Sequence, residues 1–349
     1  MRNRIGAALL GLFLLLFAFA ATERTDFFQS YLFGYLVWIQ ISLGSLCILL
    51  IFHMTGGAWG ELSYPPIRAA SKTFWILAIL LIPVIAGLSR THIWANPAEV
   101  AKNVHLQHKH LYLNVPFFVV RQIIYFATWM YFGLRTSRKF SPGGMVAMGI
   151  TITFAGVDWS MSLQPEWYST VYGMLLFSAD CLSAFAFAII SLMILAQTGK
   201  LDARQFKPKA LSDLGNLLLA FTMIWAYLSY FQYLIIWCGN LPDEAIWYLP
   251  RINGGWQYVI GLIALFQLAA PFLLLLSKPL KRNIFSLGAI ASLTLVFRFV
   301  DTFWWIAPAF RPGHFSVHWT DFAAFVGIGV IWLCTFSFHL EVGHAESRT

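Results

Sequence analysis

The chain has 349 residues, 59% of them apolar and only 11% charged, with a mean hydropathy of +0.70. A soluble domain carries roughly 25% charged residues, so this composition excludes a water-facing globular fold and leaves no length for a separate soluble domain. The formal net charge of +8 does not describe a nucleic-acid binder, because Lys and Arg sit in short clusters between apolar runs and form no basic face that could track phosphates.

The apolar runs predict ten membrane-spanning helices, near 5–21, 27–53, 73–89, 116–134, 144–160, 168–196, 214–238, 254–277, 283–305 and 320–340. Each is close to the 20 residues that cross a bilayer. The first, preceded by Met-Arg-Asn-Arg and followed by Ala18-Phe19-Ala20, also carries the marks of a secretory signal peptide; it is expected to remain as an uncleaved signal anchor. Turn residues fill the connectors, among them Pro65-Pro66 before the third span and Ser-Pro-Gly-Gly at 141–144 before the fifth.

Of the 23 Lys and Arg, 15 fall at the termini and in even-numbered connectors, including Arg204 and Arg348, and 6 fall in odd-numbered connectors. The remaining two, Arg121 and Arg298, lie within spans. Because cytoplasmic loops are enriched in Lys and Arg, this split places both termini in the cytoplasm and requires an even number of crossings. Nine of the 15 Trp (94, 159, 167, 237, 247, 256, 304, 305 and 319) then map to the outer end. An interfacial belt accounts for most of them, and the excess suggests an outer face packed against partner proteins, where Trp is enriched. Cys47, Cys181, Cys238 and Cys334 all fall in apolar runs without a CxxC or CxxCH spacing, so iron–sulfur ligation and covalent haem attachment have no motif. Each is expected to be a buried, inert thiol.

An ionisable group inside a span costs roughly 2.5–3.5 kcal/mol on insertion scales, so each one needs a reason. In the fourth span Arg121 and Gln122 enter from the outer side; Asp158 and Glu166 flank the tight connector between spans five and six. Asp180 is the single charged residue of the sixth span. It shares a helical face with Gly173, Ser183, Ala184 and Ser191, which suits close helix approach or a file of water, although Phe187 on the same face interrupts such a file. In the ninth span Arg298 and Asp301 lie three apart and can pair, within a stripe completed by Thr294 and Trp305. That stripe reads either as a structural ion pair or as a charge-compensated step in a path for protons or a quinone head group. His314, His318 and Asp321 lie at the outer approach to the tenth span, and with Arg121, Gln122, Asp158 and Glu166 they form a candidate outer polar funnel or quinone pocket. The alternative for each, a solvated helix end, is favoured for the histidines. His53 and His339, the latter near Glu341, mark a candidate cytoplasmic entrance. Being the only histidines near span interiors, they are also the only axial pair for a b-type haem, which is not expected. No metal site, nucleotide-binding loop or soluble catalytic motif is present.

Several stretches together resemble a known family: Phe27-Phe28-Gln29-Ser30-Tyr31-Leu32, His53-Met54-Thr55-Gly56-Gly57-Ala58-Trp59-Gly60, Tyr112-Leu113-Asn114-Val115-Pro116-Phe117-Phe118, Asp158 through Thr170 (DWSMSLQPEWYST), Ala270 through Ser277, and Pro308-Ala309-Phe310. They are similar to the shorter NrfD-like membrane subunits (ActF) of bacterial alternative complex III, a quinol:electron acceptor oxidoreductase of the respiratory chain. The resemblance implies an all-α protein of two four-helix bundles, spans two to five (27–160) and six to nine (168–305), flanked by the helices 5–21 and 320–340. It implies a place in the bacterial inner membrane beside a longer NrfD-like sister, an iron–sulfur subunit and c-type haem subunits, with a terminal oxidase as a further partner. Menaquinone or ubiquinone is the quinone so implied, haem c and iron–sulfur clusters belong to the partners, and this chain carries no cofactor of its own. In that family the quinol pocket lies in the longer sister, and a proton path is proposed for the shorter subunit, a role matching Asp180 and the outer carboxylates. One departure stands out. The family segment commonly reads Ser-Leu-Glu-Pro-His-Trp, whereas Gln164 and Glu166 stand here at the Glu and His places. A neutral Gln does not relay a proton. A secondary transporter and a purely structural scaffold remain the alternatives; the first would show interrupted spans at corresponding places in two halves, and the sequence shows no clear pair.

Overall fold

A computed structural model describes residues 2–201 and 206–346; Arg204 and Arg348 of the charge count lie outside the described residues. Among the described residues every regular element is a helix. Ten are long and apolar enough to cross a membrane: α1 (Arg4–Ala21), α2 (Arg24–Thr55), α3 (Ala58–Ala86), α4 (Val115–Leu134), α5 (Ser141–Leu163), α6 (Tyr172–Gln197), α7 (Pro208–Gly239), α8 (Trp256–Leu276), α9 (Ile284–Phe310) and α10 (Trp319–Glu341). Helix is the form that satisfies every backbone N–H and C=O within one segment, which hydrocarbon demands.

Starts are written in local chemistry. Asn114 Oδ1 accepts from Phe117 N at 2.9 Å, with Pro116 in the first turn of α4, and Asn283 does the same for α9 through Phe285 N and Ser286 N. These are side-chain caps on otherwise orphaned donors. Pro65 and Pro66 correct the sequence expectation: they lie inside the helix Ala58–Ala70, so α3 begins at Ala58, well before the apolar run near 73. Packing against α2 and α10 overrides the breaker signal, as membrane helices allow.

Close approach is made by small residues. A Cβ at Gly44 of α2 would lie 1.9 Å from the carbonyl oxygen of Asp180 on α6, so only glycine permits this crossing. Around it, α2 packs against α3, α5, α6, α9 and α10, and α6 also packs against α5, α7 and α9. Both helices are largely buried, whereas α1, α7 and α8 present most of their surface outward. α1 lies along α10, and an ion pair from Arg4 to Glu341 holds the two chain ends together. The start of α1 and the end of α10 therefore sit at one end of the bundle, called proximal below; Ala21, Thr91, Leu163, Tyr172 and Phe310 lie toward the other, distal end.

The tryptophans correct another expectation. Trp94, Trp159, Trp167, Trp247, Trp256 and Trp304 are buried in the chain's own core, and only Trp237 and Trp319 of the nine are largely exposed. Trp167 stacks on Trp247 at 4.9 Å, and Trp247 meets Trp305 at 4.5 Å. The indoles cement the distal connectors to the helices rather than offering a partner surface. Cys47 and Cys181 are buried, but Cys238 is exposed at the distal end of α7 and Cys334 is half-buried, so burial holds for two of the four.

Candidate functional site

At the centre of the membrane-spanning region one polar network is built around Arg298. Arg298 and Asp301 on α9 form a buried ion pair, as their i, i+3 spacing requires. Arg298 also donates from Nη2 to Gln40 Oε1 at 3.1 Å and from Nε to Ser183 Oγ at 3.3 Å. Ser183 in turn donates to Gln40 Oε1 at 3.1 Å. Gln267 on α8, with its amide oriented to satisfy both groups, accepts from Arg298 Nη1 at 3.2 Å and donates to the Phe297 carbonyl at 2.8 Å. Four helices thus converge on one guanidinium whose donors are almost all used. A buried charge needs this degree of pairing to be tolerated.

Asp180 is 5% exposed and stands apart from that web. It faces a cavity of about 70 Å³ that Arg298 and Asp301 also line. A single water needs roughly 10–15 Å³ of such volume, so the cavity has room for a short file. It runs past Gln40 and Trp305 to the Ser160 and Tyr172 hydroxyls, which lie 2.5 Å apart near the distal ends of α5 and α6. On the proximal side of Asp180, Phe187 packs against Trp332 at 5.2 Å and Phe336 at 4.9 Å. Phe187 interrupts the small-residue face where the sequence placed the break.

The other candidates separate into independent clusters. Asp158 and Arg121, both placed from sequence in the candidate outer polar cluster, are direct partners. Arg121 donates from Nη2 to Asp158 Oδ1 at 2.8 Å and from Nε to Oδ2 at 2.9 Å. Gln122 Nε2 at 3.2 Å and Tyr125 OH at 2.9 Å complete the carboxylate's shell. The Arg121 guanidinium also lies 3.9 Å from the centre of the Tyr112 ring. This is a closed clamp between α4 and α5, and Asp158 lines neither the central cavity nor the pocket between α7 and α8. Asp321 is held by Arg311 at 2.7 Å and by Ser30 Oγ at 2.6 Å, and accepts from His318 N at 2.8 Å, so it anchors the start of α10. His318 contacts Thr320 through Nδ1 at 2.7 Å. His314 is exposed. Among the described residues no hydrogen bond or ion pair joins this cluster to Asp158, so the outer polar residues form two separate clusters. Glu166 is exposed and accepts from Asn103 at 3.3 Å. At the proximal end His53 packs on Tyr64 and His339 accepts from Trp75 Nε1 at 3.3 Å; neither touches the other or the cavity.

Two residues passed over by sequence reasoning are prominent. Arg251, in the distal connector between α7 and α8, is 1% exposed and its guanidinium lies 3.7 Å from the Trp247 ring centre. It donates to the Gln164 side chain at 3.0 Å and to the carbonyls of Trp247 and Trp305 at 2.5 and 2.6 Å. Burial pulls its pKa down, to about 9. His92, just beyond α3, is buried with Nδ1 2.8 Å from Thr91 Oγ1; burial lowers its pKa to about 4, so it is neutral at physiological pH.

These features define a polytopic helical membrane protein with a central polar network around Arg298 and the Asp180 carboxyl beside it. No protein-family model matches the chain, and no curated protein aligns with it significantly.

Proposed function

We propose that this chain is the shorter NrfD-like membrane subunit of a respiratory quinol-oxidising complex of the alternative complex III type, and that it carries a proton half-channel. The observation that carries the reading is Asp180: a buried carboxyl with no side-chain hydrogen bond or ion pair among the described residues, facing a cavity large enough for a short file of water that Arg298, Asp301, Ser160 and Tyr172 also line. A carboxyl that only held helices together would be paired, as Asp158 and Asp321 are. Arg298 keeps a fixed positive charge beside the path, which limits the cost of ionising Asp180 at that depth.

Contacts among α2, α3, α4 and α5, and among α6, α7, α8 and α9, with α1 and α10 at the flank, support the two-bundle arrangement that the sequence resemblance implies. The 15-to-6 charge split assigns the proximal end to the cytoplasm, so the half-channel opens to the periplasmic side, where quinol oxidation releases protons. On this reading the chain anchors the longer sister, the iron–sulfur subunit and the c-type haem subunits in the bacterial inner membrane. The transporter alternative loses support from the helix interruptions: the breaks fall in α3 and in the π-helical turn Ala264–Ala269 of α8, which do not correspond between the two groups of four.

The test is the number of protons released per quinol oxidised in vesicles carrying the whole complex, wild type against Asp180→Asn. A lower ratio with electron transfer and assembly retained supports the half-channel. An unchanged ratio reduces Asp180 to a packing residue and the chain to a scaffold.

A further inference from the structure

Two cavities adjoin on the distal face, where the connectors before α4, α6 and α8 fold over the helix ends. One, of about 290 Å³, has His108, Lys109, Val157, Met161 and Ser162 in its wall. The other, of about 350 Å³, has His105, Glu166, Asp243 and Glu244. Lys109, Trp167 and Tyr168 line both and form the wall between them. The two differ in sign: three carboxyl side chains line the second cavity, and among the described residues no Asp or Glu lines the first. Each is at the lower end of the roughly 300–1,000 Å³ found for small-molecule sites, enough for a polar head group and too small for acyl chains as well.

The shared wall offers donors. Lys109 donates to the Pro165 carbonyl, a neutral acceptor that fixes the side chain and leaves its charge uncompensated. Trp167 is 2% exposed, and its Nε1 has no hydrogen-bond partner among the described residues; a buried donor left unmet is costly, and an acceptor held at this wall relieves it. An apolar lane leads to the first cavity from the bilayer. Val146, Ile150, Phe154, Val157 and Met161 follow one another along α5 at spacings of four, four, three and four, which is one helical face. The first three are exposed and the last two line the cavity. Leu111, at the cavity's rim, is 89% exposed, as suits a connector that dips into the membrane boundary rather than into water. A soluble anion has no use for that lane, and a purely anionic lipid would be repelled by the neighbouring carboxylates.

We propose that the paired cavities bind one zwitterionic phospholipid of the distal leaflet, of the phosphatidylethanolamine class. Its phosphate accepts from Lys109 Nζ and Trp167 Nε1, its ammonium donates to Glu166 in the carboxylate-lined cavity, and its acyl chains lie along the α5 lane. The site depends only on the chain's place in a membrane; neither proton conduction through Asp180 nor electron transfer enters it.

The test is native mass spectrometry of the purified full chain, stripped of lipid in detergent and titrated with dioleoylphosphatidylethanolamine or dioleoylphosphatidylglycerol. Lys109→Gln removes the cation, Trp167→Phe removes the N–H and keeps a ring, and Glu166→Gln removes the carboxylate. Lys102→Gln, on the same connector but lining neither cavity, is the charge-matched control. The expected result is one tightly held phosphatidylethanolamine per chain, preferred over phosphatidylglycerol. Its affinity falls by about tenfold in Lys109→Gln and about threefold in Trp167→Phe, and stays unchanged in Lys102→Gln. Glu166→Gln lowers binding of phosphatidylethanolamine only. Should Trp167→Phe fail to fold, as judged by size-exclusion elution, Lys109→Gln carries the comparison. Equal affinity in wild type and Lys109→Gln overturns the proposal, leaving unspecific annular lipid. So does equal binding of the two lipids, and so does displacement of the lipid by excess inorganic phosphate, which would make this a site for a soluble anion.

Discussion

Gln164 Oε1 accepts from Arg251 Nη1 at 3.0 Å, and the other acceptors of this buried guanidinium are the carbonyl oxygens of Trp247 and Trp305. The one side chain that reaches the buried cation is therefore a neutral amide. Desolvation of a cation is offset best by an ionised partner, and a charge-assisted hydrogen bond is worth roughly 1.5–3 kcal/mol against about 1 for a neutral one. Gln164→Glu is accordingly expected to stabilise the protein by about 1 kcal/mol, and Gln164→Leu to destabilise it by a similar amount. Thermal unfolding of the purified variants in one detergent reads both. A lower melting temperature for Gln164→Glu would mean that burying the new carboxylate outweighs the pair.

His92 sets an acid limit on stability. Its folded-state pKa is lowered to about 4 by burial, against about 6.5 in an unfolded chain. Between these values the unfolded state binds the proton and the folded state does not, so stability falls as pH drops from about 6.5 and the loss from this group is complete near pH 4. The difference corresponds to about 3 kcal/mol at most. His92→Gln is expected to flatten that part of the stability-against-pH curve relative to wild type. Parallel curves for the two proteins over pH 4–7 would remove His92 as the cause.

How far the sequence reaches depends on how local the determining physics is. Ten spans were legible because hydrocarbon forces a run of about twenty apolar residues at each crossing. The start of α3 was not, because Pro65 and Pro66 break isolated helices yet are tolerated when α2 and α10 pack against them. Arg298 and Asp301 paired as expected since three residues along a helix fix their geometry. Arg121 and Asp158 are 37 residues apart in sequence, on different helices, and no periodicity connects them. Gln40 and Gln267 stayed hidden because a neutral amide hardly disturbs a hydropathy window. Arg251 was counted as a connector charge and the distal tryptophans as surface; only the folded connectors, packed back onto the helix ends, reveal that both are interior.

Gly44 carries the central crossing. With 1.9 Å from an ideal Cβ to the Asp180 carbonyl oxygen, even a methyl group forces α2 and α6 apart. Overpacking typically costs 1–3 kcal/mol, and here the obstruction is backbone rather than a flexible side chain. Gly44→Ala is expected to lose at least about 2 kcal/mol and to lower the melting temperature. Because the shift also moves Asp180 against the cavity, the proton-to-quinol ratio should fall in any Gly44→Ala complex that still assembles. Normal stability would show that the crossing relaxes without strain.

The Arg298–Asp301 pair gives the sharpest test of whether the polar centre serves packing or chemistry. Arg298→Met leaves Asp301 buried without its cation and strands Gln40 and Ser183, a change expected to cost 3–5 kcal/mol. Asp301→Leu alone leaves the guanidinium with only neutral acceptors and should cost a comparable amount. The double variant removes both charges from an apolar site, and replacement of a whole buried pair by hydrophobic residues is often neutral, so it is expected to recover most of the lost stability. Function should not recover with it. If Arg298 stabilises the ionised form of Asp180, the stable double variant still fails to deliver protons through the cavity, and its proton-to-quinol ratio stays low. Recovery of both stability and the ratio would reduce the pair to a helix-packing device and leave Asp180 to act alone.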